Sequence, residues 1–216
     1  MEYSKIDKLN VNPSLLGFGW MRFPKKGVEA ERMLDHAIES GVTYIDTAYP
    51  YHDGESEPFV GRVLKKYKRE DFYLATKLPI FKIDSLEQAK EIFEEQMKRL
   101  DVDYVDFYLL HSLNKDTWKK VIDLNIIPYC EELKKQGRIK NFGFSFHDDY
   151  EVFEEIINYR DWDFCQIQLN YIDTDIQAGM KGYKLTEEKN VPLVIMEPIK
   201  GGALASLSDD IEQVFT

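Results

Sequence analysis

Short apolar, β-rich runs alternate with amphipathic helical stretches along nearly all of the 216-residue chain, and this strict order restricts the fold more than any other feature. The strand candidates are Leu15–Met21, Val42–Ala48, Phe72–Lys77, Val105–His111, Ile139–Ser145, Phe164–Asn170 and Pro192–Ile199. The helical stretches are Val28–Ser40, Ser56–Tyr67, Leu86–Leu100, Lys119–Gln136 and Tyr150–Asn158. In Leu86–Leu100, for example, Ile92, Phe93, Met97 and Leu100 recur at helical spacing, with charged residues on the other face. Ser56-Glu-Pro58 predicts a helix start with Ser56 as the cap, and Gly41 and Gly137 stand where helices should end. Near-continuous apolar strands separated by helices imply a parallel sheet covered by those helices. Regular spacing, with no division into two halves, favours an α/β fold of the (β/α)8 TIM-barrel type over an open sheet.

The strand count limits that expectation. Seven strands are found, and Ser208–Thr216 reads as the opening of a helix, whereas such a barrel needs eight. The expected architecture is an incomplete barrel of about seven β/α units, with Glu2–Val11 as a short N-terminal hairpin closing its bottom. Residues 1–216 are read as a single domain, since no linker or low-complexity segment interrupts them.

Composition narrows the function classes. A net charge of −11 makes nucleic acid and anionic membranes poor partners. No stretch approaches the ~20 apolar residues of a membrane helix, and the polar N-terminus lacks the apolar core of a secretory signal. Cys130 and Cys165 stand alone, which suits a reducing, cytoplasmic setting and offers no metal cluster.

Parallel α/β barrels carry their chemistry on the loops after the C-terminal ends of the strands. Here the second strand candidate runs into Asp46-Thr-Ala-Tyr-Pro-Tyr51, the third ends at Lys77 and the fourth at His111. Adjacent parallel strands lie ~5 Å apart, so these groups are expected to share one mouth, with Tyr51 folding back over it. Each residue alone has a plainer role: a turn aspartate, a solvated lysine, a packed histidine, a surface tyrosine. Together they suit carbonyl reduction. Hydride addition leaves negative charge on oxygen, and a tyrosine can protonate it if a neighbouring ammonium stabilises the phenolate and lowers its pKa. Asp46 would hold Lys77, and His111 would hydrogen-bond the substrate oxygen. The hydride must come from a cofactor.

From about Tyr3 to Leu204 the chain resembles the aldo-keto reductase superfamily. Leu16-Gly-Phe-Gly-Trp-Met-Arg-Phe-Pro24 is similar to that family's first strand and loop. Gly41-Val-Thr-Tyr-Ile-Asp-Thr-Ala-Tyr-Pro-Tyr51, with Gly54-Glu-Ser-Glu57 and Gly61, is its most specific signature. Tyr73-Leu-Ala-Thr-Lys77 and Asp103-Tyr-Val-Asp-Phe-Tyr-Leu-Leu-His111 match its third and fourth strands. The resemblance implies that Asp46, Tyr51, Lys77 and His111 form the catalytic tetrad. It also implies a cofactor site of Gly19, Trp20, Met21, Asp46, Ser145, Gln168 and the segment Glu197, Pro198, Ile199, Lys200, Gly201 and Gly202. Ser145 and Gln168 would take the nicotinamide end, while the glycines and Lys200 would wrap the pyrophosphate. Trp20 and Met21 would also line the substrate mouth.

Two departures from the common pattern, Phe146 after Ser145 and Met196-Glu197 before Pro198, resemble a bacterial branch opening with Gly-x-Met-Arg-x-Pro. The family's eighth strand and its adenosine-phosphate loop are missing, which implies a C-terminally truncated member with weakened cofactor affinity. NADP(H) is expected ahead of NAD(H), a small carbonyl compound as substrate, and self-association through the unpaired barrel edges. The alternative reading is an inert barrel fragment or a binding subunit.

Overall fold

A computed structural model describes residues 1–24 and 27–205. Its strands are β1 (Gly17–Gly19), β2 (Tyr44–Asp46), β3 (Tyr73–Leu78), β4 (Val105–Leu113), β5 (Ile139–Phe146), β6 (Phe164–Gln168) and β7 (Leu193–Met196). All pairings are parallel, and the sheet order follows the chain from β1 to β7. The helices are α1 (Gly27–Glu39), α2 (Ser56–Leu64), α3 (Leu86–Leu100), α4 (Lys115–Asp123), α5 (Ile126–Lys135), α6 (Tyr150–Tyr159) and α7 (Gly179–Glu188). The expected incomplete α/β barrel of seven strands is therefore present, with no pairing between β1 and β7 among the described residues. Ser208–Thr216 lies outside the described residues.

Side chains alternate between the two faces of each strand. The outward set, including Leu74, Tyr108, Leu110, Phe142 and Phe144, packs under the helices as the main core. The inward set begins with a smaller cluster of Tyr44, Ala75, Phe107, Leu109 and Phe164. Leu9 and Val11 pack against that cluster from below. The N-terminal segment forms the expected hairpin, with antiparallel bridges Tyr3 to Ser14 and Ile6 to Val11. Lys8 pins it by donating to Asp161 Oδ1, the Trp162 carbonyl and the Asn190 carbonyl.

Several local expectations change. Lys119–Gln136 is two helices, α4 and α5, because Asn125 between them takes a left-handed conformation at φ 55°. Asparagine tolerates that region better than most residues, so a helical apolar pattern can continue across a break. Helix α7 was not anticipated. Its Gly182 lacks a side chain where a Cβ would lie 2.6 Å from Ala178 Cβ and 3.3 Å from the Phe153 ring. Ser56 does not cap α2; it is the first helical residue, and its hydroxyl pairs with Thr47 Oγ1 at 2.8 Å. Gly41 and Gly137 do end their helices at φ 92° and 74°. Among the described residues, no helix is long and apolar enough to cross a membrane.

Candidate active site

The inward rows run from an apolar floor to a polar mouth. In β2 the row is Tyr44 then Asp46, in β3 Ala75 then Lys77, and in β4 Phe107, Leu109 then His111. In β6 it is Phe164, Gln166 then Gln168. Gln166 Nε2 reaches across to Asp46 Oδ2 at 3.3 Å, which brings β6 face to face with β2. A two-residue period thus converts an apolar strand with a polar end into a side chain aimed at the opening.

Lys77 is the hub of this mouth. Its side chain is 1% exposed, and Nζ donates to Asp46 Oδ1 at 2.5 Å, the Thr47 carbonyl at 2.9 Å and Tyr51 Oη at 3.3 Å. Burial opposes its charge, but Asp46 and Tyr51 outweigh that penalty, so its pKa rises and it stays protonated. The Tyr51 ring meets His111 edge-on at 5.6 Å between centroids, and the Phe81 ring also lies 5.6 Å from that of His111. Tyr51, expected to be a stronger acid than free tyrosine, has its pKa raised instead. Burial pushes it up, and the charge of Lys77 recovers only part of that shift. His111 is held well below its usual range by burial first and then by the Lys77 charge, so it is a neutral imidazole at pH 7. Its Nδ1 is buried without a hydrogen-bond partner.

Behind Lys77 lies a polar network that the sequence did not reveal. Gln96 of α3, fully buried, donates through Nε2 to the Lys77 carbonyl at 3.0 Å, Thr76 Oγ1 at 3.1 Å and Glu57 Oε1 at 2.8 Å. Its Oε1 accepts from Tyr108 Oη at 2.8 Å. Glu57, also fully buried, accepts from Thr76 Oγ1 at 2.6 Å, and burial raises its pKa. Arg99 joins this network to the loop bearing Tyr51: it stacks on Tyr49 at 4.2 Å and approaches Glu57 Oε2 at 3.5 Å. Tyr49 Oη donates to Glu95 Oε2 at 2.8 Å. Helix α3 therefore fastens both the lysine strand and the tyrosine loop. Gly61 permits this, because a Cβ there would lie 2.5 Å from the Leu100 carbonyl oxygen. The sequence hint was Glu57 and Gly61 within one signature; nothing marked Gln96.

The residues expected around a cofactor divide into those that face the mouth and those that do not. Ser145 is buried at the end of β5, and its Oγ accepts from the Ser112 amide at 2.8 Å, beside a register shift in β4. Gln168 donates to Asp173 Oδ2 at 3.4 Å while its Oε1 is buried without a partner, as is Gln166 Oε1. Gly19 pairs in register with Asp46 at the end of β1. Trp20 does not line the mouth: it is 0% exposed and packs among Phe18, Phe23 and Phe59, because its apolar ring gains more in the core. Met21 is exposed.

After β7, Glu197, Lys200, Gly201 and Gly202 all have positive φ, with Pro198 and exposed Ile199 between them. Lys200, expected to offer a charge to the pyrophosphate, is paired with both oxygens of Asp173 at 2.9 and 2.8 Å. The described residues contain no cluster of His, Cys, Asp or Glu placed to hold a metal. Gln168 Oε1 and Gln166 Oε1 are acceptors without a partner, which matches the N–H groups of a carboxamide, so these residues fit the nicotinamide end of a cofactor.

The family model described as "Aldo/keto reductase family" matches residues 15–216. The chain belongs to the aldo/keto reductase family. An uncharacterized oxidoreductase of Bacillus subtilis, YqkF, is 30% identical over 94% of this chain and 67% of its own length. The NADH-specific methylglyoxal reductase of Escherichia coli is 26% identical over 78% of this chain and 56% of its own. Among solved structures, the holo form of aldo-keto reductase AKR11C1 from Bacillus halodurans aligns with a TM-score of 0.79 and 29% identity. It covers 97% of this chain and 71% of that one. A Klebsiella pneumoniae aldo-keto reductase in complex with NADPH shares the fold at a TM-score of 0.73 and 22% identity, across 98% of this chain and 75% of that one. This aldo/keto reductase thus spans between about half and three quarters of the length of these relatives.

Proposed function

We propose that this chain reduces a small aldehyde or ketone with NAD(P)H, using Tyr51 as the proton donor. The observation that carries this reading is the reach of Lys77 Nζ to both Asp46 Oδ1 and Tyr51 Oη, beside a neutral His111. The dihydronicotinamide supplies the hydride. Tyr51 Oη gives its proton to the carbonyl oxygen as charge develops there, and its raised pKa keeps that proton in place beforehand. The Lys77 ammonium, aligned by Asp46, stabilises the phenolate left behind. His111, kept neutral, orients the carbonyl by a hydrogen bond without bringing a second positive charge next to Lys77. Ser145 and Gln168 are assigned to the carboxamide, and Gly19, Met21 and residues 197–202 to the remainder of the cofactor.

NADP(H), which the resemblance puts first, is proposed ahead of NAD(H), although one relative is named NADH-specific. Two relatives are named methylglyoxal reductases, which suggests small 2-oxoaldehydes as first substrates. The two buried free thiols suit the proposed cytoplasmic setting.

The test is methylglyoxal-dependent oxidation of NADPH, run beside NADH at high concentration, for the wild-type chain and Tyr51→Phe. General acid catalysis contributes about 10²- to 10⁴-fold, so Tyr51→Phe should lose at least ~10²-fold in kcat with its melting temperature unchanged. Equal turnover by both proteins would remove Tyr51 from the reaction.

A further inference from the structure

Helix α2 begins with Ser56 and Glu57, both fully buried, and neither is one of the four groups that carry the proposed reaction. Their side chains close on the two pieces of backbone between which Lys77 is suspended. Ser56 Oγ pairs with Thr47 Oγ1 at 2.8 Å and donates to the Trp20 carbonyl at 3.2 Å. Thr47 offers its carbonyl to Lys77 Nζ at 2.9 Å, and its amide donates to the Ala75 carbonyl at 2.9 Å. On the other side, Glu57 Oε1 accepts from Thr76 Oγ1 at 2.6 Å and from Gln96 Nε2 at 2.8 Å. Gln96 Nε2 also donates to the Lys77 carbonyl at 3.0 Å. The first turn of α2 thus grips both the root of the Lys77 side chain and one acceptor of its ammonium.

Holding the fold together does not by itself require a carboxyl group here. Burying one is costly, and an apolar residue of similar volume often packs a core at least as stably. Arg99, its cationic partner, reaches Glu57 Oε2 only at 3.5 Å. What the carboxyl group supplies is a fixed acceptor for two donors. One is on the residue before Lys77, and the other is on the side chain that holds the Lys77 carbonyl. Placement matters here because the contact of Nζ with Tyr51 Oη, at 3.3 Å, is the longest of the three the ammonium makes. A lysine displaced along β3 would lose that contact before the other two.

We infer that Glu57, acting with Ser56 and Gln96, is a positioning residue for proton donation: it holds the Lys77 ammonium within reach of Tyr51 Oη. The inference rests on the carbonyl-reducing reading above and adds to it a group that acts only through Lys77.

Glu57→Leu would strip Thr76 and Gln96 of their shared acceptor and endanger the fold, so Thr76→Val carries the test, with Thr76→Ser as its rescue. Valine removes the hydroxyl that meets Glu57 and nearly keeps the shape, whereas serine keeps the hydroxyl. The first readout needs no cofactor: the nitrogen-detected NMR signal of the Lys77 ammonium in 15N-labelled chain, assigned by its absence from Lys77→Met. The second is methylglyoxal-dependent oxidation of NADPH. Thr76→Val should shift or broaden the Lys77 signal and lower kcat about tenfold with KM unchanged, and Thr76→Ser should restore both. A contribution to stability alone would lower the melting temperature and leave both readouts as they are. A wild type without a Lys77 ammonium signal, or a Thr76→Val chain with the wild-type signal or the wild-type kcat, overturns the inference. The expected signal pattern in a chain whose wild type does not turn over methylglyoxal upholds the grip on Lys77 and refutes the carbonyl-reducing reading.

Discussion

At the scale of single residues, protonation states follow from burial more than from the pairings that sequence suggests. Asp46, Lys77 and His111 were legible because each follows an apolar run near the C-terminal end of a strand, and alternation then turns each side chain into the mouth. The sign of the Tyr51 shift was not legible, since desolvation depends on what covers a group and not on its neighbours in the chain. His111 gives a test. Its folded pKa is depressed, so below the unfolded value near 6.5 the unfolded chain binds a proton that the folded one refuses. Its contribution to stability is therefore complete above about pH 6.5 and is lost as pH falls below it, at up to about 1.4 kcal/mol per pH unit. Urea unfolding of the wild type and His111→Gln between pH 7.5 and pH 5.5, both chosen as about one unit either side of that value, should show a shallower loss in the variant. Parallel curves would mean that His111 is protonated in the folded chain.

At the scale of elements, helix α3 ties together the strands and the loop that form the mouth. Gln96 satisfies acceptors on α2 and β3 and receives the hydroxyl of Tyr108 on β4, so four elements share one buried side chain. Leucine at that position would strand the Tyr108 hydroxyl and take one donor each from the Lys77 carbonyl and the Glu57 carboxylate, which would keep Thr76. Unsatisfied buried groups cost about 1–3 kcal/mol each, so Gln96→Leu should lower unfolding free energy by more than ~2 kcal/mol. The exposed α3 substitution Lys90→Ala should stay within about 0.5 kcal/mol in the same urea titration. Comparable small effects from both would show that the network contributes little. Sequence located α3 well, because its apolar residues recur on one face. It could not divide α4 from α5, where Asn125 interrupts the helix without interrupting that recurrence. Nor could it find α7, whose glycines look like breakers until Phe153 is seen packed against Gly182.

At the scale of the molecule, the parallel order of the seven strands was legible from alternation, while contacts across the barrel were not. Gln166 to Asp46 spans 120 positions, and Arg22 meets Gly201 across the seam. No local pattern encodes such pairs. The seam leaves Ile195 of β7 at 41% exposure, with Leu15 and Leu16 exposed before β1. Free edges of this kind pair with other chains. Sedimentation velocity should show association growing with concentration, and Ile195→Lys should suppress it; a wild type that stays monomeric would show that the edges are protected.

The most direct test of the central claim is the fate of the hydride. With NADPH deuterated at the transferring C4 position and methylglyoxal as acceptor, proton NMR of the product should place deuterium on the new carbinol carbon, at an initial rate at least ~10²-fold lower in Tyr51→Phe. An unlabelled product, or label transfer at the wild-type rate in Tyr51→Phe, would contradict the assignment of Asp46, Tyr51, Lys77 and His111 as a carbonyl-reducing site.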